Sequence, residues 1–230
     1  MSLYKYESRE EYLRAQISRS RKKSAYCKVF FRDVIRYRQL LKMGQKHAET
    51  FDPILCLGVR TGAEVNLFRS TFFGPLMKFA AIRAIAIRRD TTNLGSSKIH
   101  LARYFGVGSG GVQDGRVIGV ELAPETPRPD IWIGSFDDLP AEWVGRFRLL
   151  YSNSFDHSQD PMRTVAEWKR VAAPGAYVIL AYAANYSPTP SDPFGGMELA
   201  EIMDLWKSPV IFCSETWNEV GYKEICFQLQ

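Results

Sequence analysis

The sequence lacks long apolar runs and clustered cysteines. No apolar stretch approaches the roughly 18 to 20 residues of a membrane span, and the N-terminus lacks the basic-then-apolar order of a signal peptide. The four cysteines form no Cys-x-x-Cys pair and no cluster with histidine, which argues against a zinc site or a disulfide scaffold. They are Cys27, Cys56, Cys213 and Cys226. We therefore expect a soluble cytoplasmic protein with reduced core thiols and no metal site.

The chain does have enough apolar residues for one substantial core. Its 230 residues are 46% apolar and 13% aromatic, as expected of a single α/β domain with an appendage. The net charge of +5 is uneven, because residues 1–50 carry +8 and 68–117 carry +6, whereas 118–230 carry −8. The two basic segments either recruit an anionic partner, such as nucleic acid, a phosphorylated sugar or an acidic membrane face, or are ordinary solvated helix faces.

Two helices are predicted before residue 50. Ser8 and Glu11 have the spacing of a capping box, which indicates a helix start. We expect one helix over about 8–23 and a second over about 26–43.

After residue 50, short apolar runs alternate with helical stretches, which is typical of βαβ units and a parallel sheet. The predicted strands are 53–57, 117–120, 131–133, 149–151 and 177–181, then a hairpin-like pair at 210–212 and 223–227. The first two strands lie about 60 residues apart, so an insertion is predicted at about 68–116. Its segment 75–89 is apolar and basic, and is either a core-packing helix or an interfacial helix that contacts a membrane or a lipid-linked substrate.

Residues suited to a nucleoside cofactor follow the first two predicted strands. Gly58 and Gly62 belong to a turn between a strand and a helix, where the backbone can approach a ligand closely. Glu121 ends the second strand, the position at which an acidic side chain accepts hydrogen bonds from ribose hydroxyls. Either signal alone is common, but the two in order are much less so.

Three more motifs complete an ordered set. They are Gly-Ser-Phe-Asp-Asp-Leu-Pro at 134–140, a run from Phe147 to Asp156-His157, and Glu-Trp-Lys-Arg-Val-Ala-Ala-Pro-Gly-Ala at 167–176. With them, residues 50 to 230 resemble a class I S-adenosylmethionine-dependent methyltransferase of the small-molecule, ubiquinone-biosynthesis-like branch (methyltransferase type 11). The resemblance implies an α/β fold with a Rossmann-like, seven-stranded, mostly parallel sheet. It also implies an N-terminal helical lid over 1–50 and a methyltransferase domain over 51–230 that carries the insertion.

The resemblance further implies S-adenosyl-L-methionine as the cofactor and assigns residues to it. The glycine loop would wrap the methionine part, Glu121 would hold the ribose, and the end of the fourth strand would lie beneath the sulfonium. The assigned residues are Gly58, Val59, Arg60, Thr61, Gly62, Glu64, Glu121, Leu122, Ser135, Phe136, Ser152 and Asn153.

Three positions differ from the family pattern. Cys56 and Ser135 stand where acidic residues are usual, and Arg60 stands in place of a loop glycine. The loop instead resembles a variant of the form Gly-x-Arg-x-Gly-x-Glu, in which we expect an ion pair between Arg60 and Glu64.

Catalysis of methyl transfer depends chiefly on positioning, and a base is needed only when the acceptor must lose a proton. His157 is the candidate base, with Asp156 as its orienting group or a second base. The alternative is that His157 only caps a helix or bonds the backbone. By resemblance to the lid, an anionic acceptor would meet Gln16, Arg19, Arg21, Lys22 and Lys23.

Three functions compete. The leading one is O-methylation of a sugar or another small hydroxylated acceptor, anionic or lipid-linked. The second is RNA methylation, supported by the basic segments. The third is a non-catalytic binding protein on a methyltransferase fold.

Overall fold

The computed structural model defines the architecture of most of the chain. The residues it describes are 3–22, 29, 31–43, 51–60, 62–73, 114–123, 128–184, 186–214 and 223–230. Most of the predicted insertion, with its segment 75–89, therefore lies outside the described residues.

Five helices and seven strands make up the described part. The helices are α1 (Arg9–Lys22), α2 (Phe31–Met43), α3 (Ala63–Phe73), α4 (Pro161–Val171) and α5 (Leu199–Trp206). The strands are β1 (Ile54–Leu57), β2 (Val117–Glu121), β3 (Ile131–Ile133), β4 (Phe147–Ser152), β5 (Ala172–Tyr182), β6 (Val210–Ser214) and β7 (Lys223–Gln228).

All seven strands form one sheet in the order β3-β2-β1-β4-β5-β7-β6. β1 to β5 pair in parallel, whereas β7 is antiparallel to both β5 and β6. The prediction of a mostly parallel, seven-stranded sheet is confirmed. The strand order reverses between β1 and β4, and in open α/β sheets ligands bind beyond the carboxyl ends of the strands at such a point.

The central strands are apolar because helices cover both faces of the sheet. All four residues of β1 are buried, and β7 is buried from Glu224 to Phe227. One core layer contains Trp168 of α4 and Trp206 of α5, while the other contains Phe68 of α3 and Tyr37 of α2. The strands therefore hold their carboxyl ends on a rigid platform.

Helix α1 begins as its sequence predicts, with one difference. The Ser8 hydroxyl accepts a hydrogen bond from the Glu11 backbone N–H at 3.1 Å. The Glu11 carboxylate, however, accepts from the N–H of Glu7 at 2.8 Å rather than from that of Ser8. Both capping hydrogen bonds are therefore present, but the Glu11 carboxylate accepts from the N–H one residue earlier than the capping box predicts.

Helix α2 is held to the sheet by a buried carboxylate. Glu224 on β7 is fully buried, and it accepts hydrogen bonds from the Tyr37 hydroxyl and the Arg36 guanidinium. Burial, followed by the charge of Glu224, raises the pKa of Tyr37 well above its usual value. Both predicted N-terminal helices exist, and α2 is part of the main core.

One prediction about the cysteines is wrong. Cys56 and Cys226 are buried core thiols, but Cys213 is exposed because β6 is the edge strand of the sheet. Cys27 lies outside the described residues. Among the helices described, none is long and apolar enough to cross a membrane.

Candidate functional site

The turn after β1 brings the backbone close to the end of β4. Gly58 has φ +77°, and a Cβ there would lie 2.6 Å from Cβ of Ser154. Any other residue at this position would be strained and would clash, because only glycine adopts this conformation without cost. The absence of a side chain at Gly58 keeps the start of the glycine loop open beside Ser154.

The same loop is tied to Glu121 at the end of β2. Arg60, with φ 38°, donates its backbone N–H to Oε2 of Glu121 at 2.8 Å, and Ala123 donates to Oε1 at 3.3 Å. A carboxylate offers about four lone-pair positions, so capacity remains for ribose hydroxyls. Glu121 thus has a structural role that the sequence did not reveal.

A second acidic residue lies at the start of α3. Glu64 is 4% exposed, and its Oε1 accepts a hydrogen bond from Asn153 at 3.4 Å. This contact joins α3 to the residue directly after β4. The ion pair between Arg60 and Glu64 stays a prediction.

Behind Gly62, a buried charge network connects α3 to β3. Asp130 accepts hydrogen bonds from Arg128 at 2.9 and 2.8 Å and from Arg69 at 2.7 Å, and Arg128 also bonds Asn66 at 2.7 Å. Burial raises the pKa of Asp130, but the two arginines outweigh burial and hold it below its usual value. The network therefore joins the first two turns of α3 to the residues directly before β3.

The sequence motifs at 134–140 and 167–176 meet in the structure. Glu167 accepts a hydrogen bond from the Leu139 N–H at 2.6 Å, while Arg170 donates to the Leu139 carbonyl at 2.9 Å. Trp168 donates from its indole N–H to the carbonyl of Phe136 at 3.0 Å. Helix α4 therefore clamps the loop that follows β3, which explains why these residue types occur together.

Asp137 in that loop is a buried carboxyl group. Among the described residues, the hydroxyl of Thr164 donates a hydrogen bond to Asp137, and the same hydroxyl lies 3.0 Å from the carbonyl oxygen of Asp160. Burial raises the pKa of Asp137 to about 6, against the opposing effect of Thr164. A neutral Asp137 can donate to Thr164 and complete this short chain.

A cleft opens at the carboxyl ends of β1, β2 and β4, where the strand order reverses. It encloses about 800 Å³, part of which is open solvent. Its wall contains eight of the predicted site residues: Gly58, Arg60, Glu64, Glu121, Leu122, Phe136, Asn153 and His157. The structure thus brings most of the predicted residues to one place.

Other predicted residues lie behind this wall. Val59 is 1% exposed and packs in the core, and Ser152 is fully buried, with its hydroxyl bonded to the Leu57 carbonyl at 3.0 Å. Ser135 bonds the backbone N–H of Asp137 at 3.2 Å. These three support the wall rather than line it, and Thr61 lies outside the described residues.

Helix α1 closes the cleft on the side of His157. Tyr12, Gln16 and Arg19 line the cleft. The Tyr12 hydroxyl donates to the His157 carbonyl at 2.9 Å, and Nδ1 of His157 lies 3.0 Å from Oε1 of Gln16. Arg21, Lys22 and Lys23, predicted beside them, have no described side chains.

Four residues at this end were not predicted. Tyr12 and Ser154 line the cleft, Tyr186 bonds Asp156 at 2.6 Å, and Asp192 lies 3.5 Å from His157. Ser154 directly follows the predicted Ser152 and Asn153, so its position was a usable signal. The others come from distant segments, and no local pattern marks them.

Comparison with known proteins gives structural matches only. No protein-family model matches the chain, and no curated protein matches it in sequence. One similar solved structure is the 1,6-didemethyltoxoflavin-N1-methyltransferase of Burkholderia thailandensis with bound 1,6-didemethyltoxoflavin and S-adenosylhomocysteine. It is 10% identical, with 99% of this chain and 92% of that chain covered and a TM-score of 0.50.

The chain has the fold of the S-adenosylmethionine-dependent methyltransferases. Two further structures with this fold are similar to it at lower scores. A methyltransferase from Aquifex aeolicus is 12% identical over 88% of this chain and 100% of that chain, with a TM-score of 0.44. One from Mesorhizobium loti is 12% identical over 86% and 100%, also at 0.44.

Proposed function

We propose that the protein is an S-adenosylmethionine-dependent methyltransferase. The observation that carries the proposal is the convergence of the Gly58 loop, Glu121 and Asn153 on one cleft at the point where the strand order reverses. The similar 1,6-didemethyltoxoflavin-N1-methyltransferase has S-adenosylhomocysteine bound in its structure. The same cofactor class is therefore the first to test here.

The wall of the cleft suits the parts of this cofactor. Glu121 offers its remaining carboxylate lone pairs to the ribose hydroxyls, and Leu122 and Phe136 offer apolar surface to the adenine. The loop from Gly58 to Gly62 would wrap the methionine part. Glu64 would add negative charge that complements the cationic cofactor, and an Arg60–Glu64 pair would orient it.

When bound, the cofactor supplies an electrophilic methyl group on a cationic sulfonium. The protein's task is to hold an acceptor atom in line with that methyl group, and alignment alone can account for much of the rate. Ser154 joins the glycine loop to His157, because its hydroxyl donates to the Gly58 carbonyl at 3.4 Å and its carbonyl accepts from the His157 N–H at 3.1 Å. His157, which lines the cleft, would accept a proton from the acceptor, with Asp156 beside it as an orienting group or a second base.

We propose a small hydroxylated acceptor, such as a sugar, bound between α1 and His157. Tyr12, Gln16 and Arg19 line this end of the cleft. The polar groups of Tyr12 and Gln16 are engaged with His157 and Ser191, whereas the guanidinium of Arg19, 42% exposed, suits an anionic group on the acceptor. Such an acceptor is methylated on oxygen. The lipid-linked alternative depends on segment 75–89, which lies outside the described residues.

The experiment is methyl transfer from cofactor labelled in the methyl group. Nucleotide sugars, their unphosphorylated sugars and total RNA are offered separately. Label on a nucleotide sugar, reduced at least tenfold in Arg19→Gln but not in the exposed-site variant Arg148→Gln, supports the proposal. Label on RNA alone would replace it with the RNA-methyltransferase alternative, and no transfer despite cofactor binding would favour a non-catalytic protein.

A further inference from the structure

Three side chains of the His157 end are arranged around a common point. Nε2 of His157 lies 3.8 Å from Oδ1 of Asp156 and 3.5 Å from Oδ1 of Asp192. One ligand atom from each of the three residues can be chosen so that all lie within 4.8 Å of one another. Asp192 comes from the loop after β5, so two separate segments build this cluster.

Hydrogen bonds fix the orientation of the histidine. Gln16 donates its Nε2 to the Ser191 carbonyl at 3.1 Å, which turns its Oε1 toward Nδ1 of His157 at 3.0 Å. Because an amide oxygen only accepts, Nδ1 of His157 must carry the proton. In the neutral imidazole, Nε2 then presents a lone pair to the two carboxylates.

Each carboxylate has one oxygen held by the protein and the other directed at Nε2. Tyr186 donates its hydroxyl to Oδ2 of Asp156 at 2.6 Å. Oδ2 of Asp192 accepts from the Thr189 hydroxyl at 3.3 Å and lies 3.6 Å from Arg19. Such outer partners are the usual means by which proteins orient metal ligands.

The oxygen of Asp156 that faces the histidine is a second, independent indication of a cation site. Asp156 is 8% exposed, and within the described part of the chain its buried Oδ1 has no hydrogen-bond partner. A buried carboxylate oxygen without a hydrogen bond lowers the stability of the fold unless a cation binds to it. Three lone pairs that face one point repel one another, and a cation between them would remove that repulsion.

We propose that Asp156, His157 and Asp192 bind a divalent first-row metal ion, such as Mn²⁺ or Zn²⁺. Imidazole and carboxylate ligands suit these ions. At bond lengths of about 2.1 Å, tetrahedral ligand atoms stand about 3.4 Å apart, close to the two His157 separations. The carboxylates carry two negative charges, which a divalent ion neutralises.

The role of the ion rests on the proposed function. The cluster adjoins the cleft at His157, so an acceptor hydroxyl can take an open coordination position. A bound divalent ion lowers the pKa of a coordinated hydroxyl. His157 would then act as a ligand, and its proton-accepting role would pass to solvent or a carboxylate once the ion had acidified the acceptor.

The test is titration of the metal-free protein with Mn²⁺, followed by electron paramagnetic resonance, with Zn²⁺ as competitor and no methyl donor present. We expect one tightly held Mn²⁺ per chain, and at least tenfold weaker binding in Asp192→Asn and His157→Gln. Asp204→Asn, at an exposed position on α5, is the matched control and should bind as the wild type does. Circular dichroism checks that the variants fold.

A nuclear magnetic resonance measurement on the wild-type chain tests the site without any variant. Mn²⁺ at substoichiometric amounts should broaden the imidazole resonances of His157 and spare those of His47 and His100. Absent uptake, uptake equal in all variants, or broadening of the other histidines would each overturn the metal site. None of these would affect the methyltransferase proposal, because cofactor binding is measured without metal and His157 would return to the role of base.

Discussion

At the scale of single residues, Gly58 and the carboxyl groups decide what the site can do. Gly58 combines a positive φ with a close approach to Ser154, whereas Glu121 is shared between the loop backbone and the open cleft. Each of these residues has a structural role and a proposed role in cofactor binding. Substitutions at these positions affect both roles, and matched control variants separate the two effects.

The first prediction concerns Gly58→Ala. A Cβ at Gly58 would meet Ser154 at 2.6 Å, whereas Gly175, with a similar φ of +73°, has nothing within 4 Å of its position. Both alanines carry the same backbone strain, of order 1 kcal/mol. We expect Gly58→Ala to unfold at lower urea concentration than Gly175→Ala and to bind S-adenosylmethionine at least tenfold more weakly. Equal behaviour of the two variants would show that the contact with Ser154 does not constrain the loop.

The second prediction uses the pKa of Asp137, which burial raises from 3.8 to about 6. Between these values the folded protein keeps a proton that the unfolded chain has lost. The neutral carboxyl therefore contributes roughly 3 kcal/mol to the free energy of unfolding below about pH 4. This contribution is lost as the pH rises through about 6.

Asp137→Asn removes this titration, so the variant should gain stability relative to the wild type between pH 4 and pH 7. Urea unfolding at several pH values measures the difference. Asp138→Asn, whose side chain is 69% exposed, is the neighbouring control and should show no such trend. A difference between Asp137→Asn and wild type that is constant with pH would contradict the assignment.

At the scale of elements, α3 and α4 hold the loops that form the cleft. Helix α4 clamps both backbone groups of Leu139 through Glu167 and Arg170. Helix α3 is joined to the start of β3 through Asp130 and two arginines. The helices therefore position the loops rather than merely cover the sheet.

The third prediction is that Asp130→Asn destabilises the protein strongly. Asp130 is 4% exposed, and its loss leaves the Arg69 and Arg128 guanidinium groups, 14% and 12% exposed, without their shared carboxylate. Breaking a buried ion network of this kind costs about 3 to 5 kcal/mol. Asp114→Asn removes a more exposed partner of Arg69, 3.4 Å away, and should cost about 1 kcal/mol or less.

Equilibrium unfolding in urea measures both Asp130→Asn and Asp114→Asn. Because the pKa of Asp130 is lowered, its stabilising effect is present above its unfolded pKa and is lost as the pH falls below that value. The gap between wild type and Asp130→Asn should accordingly narrow in acid. Similar losses for the two variants would contradict the central position of Asp130.

The elements could be predicted from the sequence more fully than the site could. Apolar runs placed β1, β2 and β3 within a residue or two, because strands buried on both faces are continuous apolar segments. Strand β5 begins at Ala172 rather than near 177, since Ala172 still pairs with Phe147 before a shift of register. Pro174 and Gly175 lie in the irregular stretch between the pairings of Ala172 and Tyr177, where Gly175 has a φ of +73°.

Site residues at strand ends were predictable because parallel strands bring their carboxyl ends to one edge. Gly58, Glu121 and Asn153 are of this kind. Tyr12, Tyr186 and Asp192 are not, because their positions depend on how α1 and the loop after β5 pack on His157. No periodicity or spacing encodes such contacts.

At the scale of the whole molecule, the distribution of charge along the chain fits the position of the cleft. Residues 118–230 carry a net charge of −8, and that half of the chain supplies Glu121, Asp156 and Asp192 to the cleft region. Negative potential around a cleft favours a cationic ligand, which a sulfonium cofactor is. The basic N-terminal part contributes Arg19, which lies 3.6 Å from Asp192 and adds a positive charge at the His157 end of the cleft.

The central claim is that this cleft binds S-adenosylmethionine through Glu121, and isothermal calorimetry tests it most directly. We predict one binding site per chain, and at least tenfold weaker affinity in Glu121→Gln, because hydrogen bonds to a charged group contribute about 1.5 to 3 kcal/mol. Glu142→Gln, at an exposed position, is the control and should bind as the wild type does. No heat of binding to the folded wild-type chain, or equal affinity in Glu121→Gln and Glu142→Gln, would contradict the account.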